Sequence, residues 1–170
     1  MPKIIKDGAW VDDAWVLLRD EISSDLLESH AGQDLIVPLE DWLGQQAPLK
    51  RHEGRVGVWL ASHELPEQLG SAIPDLPLIA VDFPAFKDGR GFTNARELRE
   101  RFAYEGELRA IGDVLRDQLF YMMRCGINAF DLRDDQNPDV CLSALRDFRD
   151  SYQPRIDQPL PLFRRRAPAD

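Results

Sequence analysis

The sequence predicts an α/β fold: repeated βα units, about four of them, forming a parallel sheet or half-barrel with an N-terminal β-hairpin appendage. Three observations predict it. From residue 55 onward, short apolar runs alternate with segments of helical periodicity. The apolar runs read as buried strands, as a parallel sheet covered by its crossover helices requires. The segments between them carry helix caps and stops. Right-handed crossovers leave two arrangements open, an open sheet or a curled half-barrel.

The first 50 residues read as strands and turns. "KII", a turn at Asp7-Gly8, then "AWV" and "AWVLL" around Asp12-Asp13 predict a small hairpin. "DLIVPLEDWLGQ" adds a short strand before Pro38 and a helix ending near Gly44. This section is expected to be an appendage to the repeating body. There, "RVGVWLA", "LIAVDF", "ELRAIG" and "INAFDL" are the four strands, and "ELPEQLGSAI", "TNARELRERF", "VLRDQLFYMMRC" and "PDVCLSALRDF" are the helices that follow them.

Each helix has its own signals. Thr93 is read as the N-cap of the second, with Ala95, Leu98 and Phe102 on one face. Asp113 is read as the cap of the third, Leu115, Leu119 and Met122 as its apolar stripe, and Gly126 as its stop. Asn137-Pro138-Asp139 gives the fourth a cap, a first-turn proline and a first-turn acid. One domain is expected over residues 1–152. Prolines at 154, 159, 161 and 168 make residues 153–170 an extended tail, with Leu160, Leu162 and Phe163 packing back and Arg164-Arg165-Arg166 free to meet an acidic surface.

Composition narrows the function. At 170 residues the chain suits one hydrophobic core, and no apolar run approaches the roughly 20 residues of a membrane helix. Its start lacks a secretory signal, so a cytoplasmic location with reduced thiols is expected. A net charge of −9 opposes binding to a phosphate backbone. Of the 21 basic residues, only Lys3, Lys6, Lys50 and Lys87 are lysines. The remaining positive charge sits on arginine, which suits carboxylates and small oxyanions.

In parallel α/β folds, ligands gather beyond the carboxyl ends of the strands. The segment after the second strand, "FPAFKDGRGFTNA", is the richest there. Asp88, Gly89, Arg90, Gly91 and Thr93 would combine flexible backbone, a guanidinium and helix N–H groups into a small-oxyanion site. The competing reading is a tight turn in which Arg90 pairs with Asp88 or Asp113. "GRGFTN" departs from the dinucleotide fingerprint, with Asn94 in place of its last glycine and a start several residues after the strand. Asp82 and Arg109 lie on adjacent predicted strands and could form a buried pair. Asp113 could serve as a base if Arg90 faces it, with Asp117 in support.

Cys125 and Cys141 lack the Cys-x-x-Cys spacing of dithiol or zinc chemistry, and His30, His52 and His63 occur singly. No cofactor motif is recognisable.

Two stretches, "VDFPAFKDGRGFTNARELR" and "GELRAIGDVLRDQLFYMMRCGINAF", resemble a bacterial family of unknown function labelled as oxidoreductases involved in sulfite reduction, encoded beside assimilatory sulfite reductase. The resemblance covers roughly residues 78 to 131 and rests on the spacing of Asp-Gly-Arg-Gly from Arg-Ala-x-Gly-Asp. It implies a pathway and assigns no catalytic residue. An independent reductase needs an electron carrier, so the expected role is an accessory to sulfite reductase or its electron donor. The alternatives are a small-anion enzyme or sensor using the Asp88–Gly91 loop, and a homodimer joined through Trp10, Trp15 and Trp42.

Overall fold

The computed structural model describes residues 2–146 together with Ile156, residues 158–161 and Arg164. Eight strands form one mixed sheet. They are β1 (Lys3–Lys6), β2 (Ala9–Asp12), β3 (Trp15–Leu17), β4 (Asp34–Pro38), β5 (Val56–Leu60), β6 (Leu78–Phe83), β7 (Glu107–Gly112) and β8 (Ala129–Phe130). Across the sheet the order is β2-β1-β8-β7-β6-β5-β4-β3. Strands β3 to β8 are parallel, and β1 runs antiparallel to both β2 and β8.

This order explains the shape. Each parallel strand is added on the same side of the one before it, so right-handed crossovers carry all the connecting helices to one face. The helices are α1 (Ser24–Ser29), α2 (Leu39–Gly44), α3 (Gln46–Arg51), α4 (Arg90–Glu100), α5 (Arg116–Arg124) and α6 (Pro138–Ala144). Leu39, Leu49, Ala95, Leu98, Leu119, Met122 and Cys141 pack with the outward strand residues Val37, Val58, Leu60, Val81 and Phe83 in the main core. A second, smaller cluster of Trp15, Ile36, Leu78, Ala80 and Ile111 lies on the other face and contains strand residues alone. With layers on one side only, the sheet curls into a half-barrel.

The chain path tightens that curl. Strands β2 and β3 occupy opposite edges of the sheet, yet only Asp13 and Ala14 separate them. Three virtual Cα bonds of 3.8 Å limit the gap between Asp12 and Trp15 to about 11 Å. The two edges therefore come together at this link.

Several expectations change. The N-terminal section is no appendage: β1 and β2 form the hairpin around Asp7-Gly8, but β3 and β4 extend the parallel sheet to six strands where four βα units were expected. Asp12-Asp13 makes no hairpin turn: Asp12 ends β2, and Asp13-Ala14 is the link between edges. The segment after β5 is a 3-10 helix, Pro66–Asp75, broken at Gly70 with φ 54°. Thr93 is not a cap. The Asp88 carboxylate accepts the Arg90 backbone N–H at 3.1 Å, so α4 starts at Arg90 with Gly89 as its N-cap. Nor does Asp113 cap α5, whose N-cap is Leu115. Asn137 does cap α6, its side chain accepting from the N–H groups of Asp139 and Val140. The expected packing of Leu162 and Phe163, the Arg165-Arg166 pair and the end of the last helix beyond residue 146 lie outside the described residues.

Candidate functional site

Period-two alternation decides which side chains enter the concave face. On β6 these are Leu78, Ala80 and Asp82, and on β7 Glu107, Arg109 and Ile111, while the residues between them join the outer core. Charges in an apolar sheet interior require partners. Arg109, 2% exposed, donates Nη1 to Asp13 Oδ2 at 2.8 Å and Nη2 to Asp13 Oδ1 at 3.0 Å. Its Nε donates to Glu107 Oε1 at 2.9 Å, and Lys6 Nζ donates to Glu107 Oε2 at 2.7 Å. Two cations and two carboxylates thus balance on the concave face, and the Asp13 link is tied to the middle of β7.

Toward the carboxyl ends of the strands the face opens. Arg19, two residues past β3, donates Nη1 to Asp82 Oδ1 at 3.1 Å. Its guanidinium lies over the Trp59 ring at 5.7 Å from the centroid, and Trp59 Nε1 donates to the Leu18 carbonyl at 2.9 Å, which fixes the indole. Beside this pair is a cavity of about 450 Å3 lined by Arg19, Trp59, Pro38 and Ala61, with Glu21, Glu40, Asp41, His63 and Glu64 around it. Asp41 accepts from the Ile22 N–H and from Gln45, and Glu64 accepts from the Ala61 N–H. Among the described residues, Glu21 and Glu40 carry no such bond. On the β8 side of the mouth, Asp131 extends the ladder by donating its N–H to the Ala110 carbonyl at 3.0 Å. Burial pushes its carboxyl above the ordinary range, with Arg109 and Arg19 pulling the other way.

The residues singled out in the sequence fall into separate groups. Arg90 donates Nε and Nη2 to the two oxygens of Asp88 at 3.0 and 2.7 Å, and Nη2 also to Ser62 Oγ at 3.0 Å. That guanidinium holds the half-buried Asp88 carboxyl well below the usual range. Gly89 has φ −86°, so neither it nor Gly91 uses the left-handed region that favours glycine. Gly91 serves packing instead, because a Cβ there would lie 2.7 Å from Phe83 Cε1. Thr93 is exposed within α4. Asp82 and Arg109 share the concave face but do not pair, since Asp82 holds Arg19 and Arg109 holds Asp13 and Glu107. Asp113 accepts from Arg133 Nη1 at 2.6 Å, not from Arg90, and Asp117 is exposed in the first turn of α5.

Sequence reasoning missed Asp13 as the partner of Arg109, and Arg19 and Trp59 as neighbours at the mouth. One signal was present: Glu107-x-Arg109 places two charges on the same face of an otherwise apolar strand. Burial pushes both thiols up, Cys125 and Cys141 alike, away from thiolate chemistry. Trp15 is buried, and Trp10 and Trp42 pack against the main core. Among the described residues, no three His, Cys, Asp or Glu are grouped to hold a metal ion, and no helix is long and apolar enough to cross a membrane.

No curated protein matches the chain. A family model described as "Bacterial protein of unknown function (DUF934)" matches residues 57–163, from within β5 to beyond α6. It takes in Asp82, Asp88–Gly91, Glu107, Arg109 and Asp131, and leaves out Asp13 and Arg19. With more than half of its 170 residues matched, the chain belongs to this bacterial family of unknown function.

Proposed function

We propose that the protein is a cytoplasmic accessory of assimilatory sulfite reduction that acts by binding sulfite reductase or its electron donor. The observation that carries this reading is the pair of segments at residues 81–99 and 106–130, whose motifs resemble the proteins encoded beside sulfite reductase. Both segments fall inside the family match. The net charge of −9 gives the chain an acidic surface for a basic partner face. The two buried thiols, each with its pKa pushed up, favour a binding role over a thiol-based electron carrier.

Deleting the gene should slow growth on sulfate or sulfite as the only sulfur source, with growth restored by cysteine. Unchanged growth on both would contradict the proposal.

The second reading, a small-oxyanion site at Asp88, Gly89, Arg90, Gly91 and Thr93, is supported by the first-turn N–H groups of α4. It is the weaker of the two because Asp88 already occupies the Nε/Nη2 edge of the Arg90 guanidinium. Sulfite binding by the full chain that disappears in Arg90→Ala, with thermal stability unchanged, would favour it.

A further inference from the structure

We infer that the cavity at the mouth of the half-barrel, between β3, β4 and β5, binds a small zwitterion of the α-amino acid class. The inference does not rest on the sulfite-reduction reading and stands or falls separately from it.

The cavity measures about 450 Å3, toward the lower end of the roughly 300–1,000 Å3 of small-molecule sites. An amino acid fits that space. Its position is the carboxyl end of a parallel strand array, where such folds place ligands.

The wall carries both signs of charge. Arg19 offers the anion-binding edge: one Nη1 bond goes to Asp82, the Trp59 ring lies beneath, and no other hydrogen bond of its guanidinium occurs among the described residues. Its orientation is set while donors remain for a carboxylate, which a guanidinium can take in two parallel bonds. The cation-binding edge is Glu40 and Glu21, which line the same cavity and make no hydrogen bond among the described residues. Asp41 spends both oxygens on the Ile22 N–H and Gln45, and Glu64 spends Oε2 on the Ala61 N–H, but both leave their charge nearby. Trp59, Pro38 and Ala61 supply the apolar floor for a side chain.

Neither single charge suits this wall. A simple oxyanion would meet Arg19 but also four carboxylates, and Asp82 already offsets the guanidinium. A simple cation would leave the remaining Arg19 donors without an acceptor. A molecule with carboxylate and ammonium one carbon apart satisfies both edges, and a carboxylate left facing carboxylates would be penalised.

Calorimetry on the full chain would use glycine, L-alanine and L-leucine as zwitterions, acetate and sulfite as anions, and methylamine as the cation, with Trp59 fluorescence as a second readout. At least one amino acid should bind, with acetate, sulfite and methylamine each weaker by about tenfold or more, the loss expected when one charged hydrogen-bonded end is missing. Arg19→Gln and Glu40→Gln should each weaken amino acid binding by about tenfold. Glu40 is exposed and makes no side-chain bond among the described residues, so Glu40→Gln should fold normally and keeps the test open if Arg19→Gln does not. Absence of binding by all three amino acids, equal binding by an anion or by methylamine alone, or undiminished binding in Glu40→Gln would overturn the inference.

Discussion

Asp13 and Arg109, 96 residues apart in sequence, form a two-point ion pair inside the half-barrel, Nη1 to Oδ2 at 2.8 Å and Nη2 to Oδ1 at 3.0 Å. Asp13 sits on the two-residue link between the sheet's edge strands, and Arg109 in the middle of β7. The pair holds the curled sheet together across its concave face. Removing one partner leaves the other charged, buried and short of hydrogen bonds. Asp13→Ala should therefore cost about 3–5 kcal/mol in chemical denaturation. The double variant Asp13→Leu with Arg109→Met should lose less than Asp13→Ala, because it removes the stranded charge.

Arg99 plays a similar part at the other ends of the strands, without a carboxylate. It donates to the carbonyls of Gly126 and Gly106 at 2.9 and 3.0 Å, to the Tyr104 carbonyl, and to Asn128 Oδ1 at 3.2 Å. Burial lowers its pKa. One guanidinium thus ties the end of α4 to the segments entering β7 and β8. Arg99→Met keeps the packing stem and strands those acceptors, so it should lower stability by about 3 kcal/mol. A loss below about 0.5 kcal/mol would show that water replaces the guanidinium.

The two glycines around Arg90 should respond differently. Gly91→Ala drives a Cβ to within 2.8 Å of the Phe83 ring and 3.1 Å of Val81 Cγ1, and overpacking of this kind costs about 1–3 kcal/mol. Gly89 has an ordinary φ and open space around its Cβ position, so Gly89→Ala should stay within about 0.5 kcal/mol. Equal losses would contradict the packing role given to Gly91.

Asp131 makes a pH signature. Facing Arg109, Arg19, Asp13 and Asp134, its carboxyl is pushed up chiefly by burial. The folded state therefore keeps this proton to higher pH than the unfolded chain, which releases it near the ordinary 3.8. As pH rises from there through the folded pKa, stability must fall, and above the folded pKa the loss is constant. Asp131→Asn should stabilise the protein at neutral pH, with the gain shrinking to nothing below the unfolded pKa. A gain that grows on acidification would have the wrong sign.

The repeating body was legible because each of its strands is a short apolar run between helix signals. "LIAVDF" and "ELRAIG" match β6 and β7 residue for residue. The N-terminal third was not, since a three-residue strand such as β3 carries no period of its own. Asp12-Asp13 looks like any acidic turn until the sheet order places it across the barrel. Thr93 and Asp113 were plausible caps by residue type, but Asp88 captures the Arg90 N–H one turn earlier and Arg133 captures Asp113. Arg90 paired with Asp88 as the tight-turn reading required. The distant partners of Asp82 and Arg109 are Arg19, just past β3, and Asp13 on the link, at separations that no local pattern encodes.

The accessory role is tested most directly by mixing the purified full chain with sulfite reductase holoenzyme, and separately with its electron donor, and measuring complex formation by analytical ultracentrifugation. The account predicts a defined complex with one of them that weakens as salt rises, because the chain carries a net charge of −9. Independent sedimentation in both mixtures at low salt would contradict it.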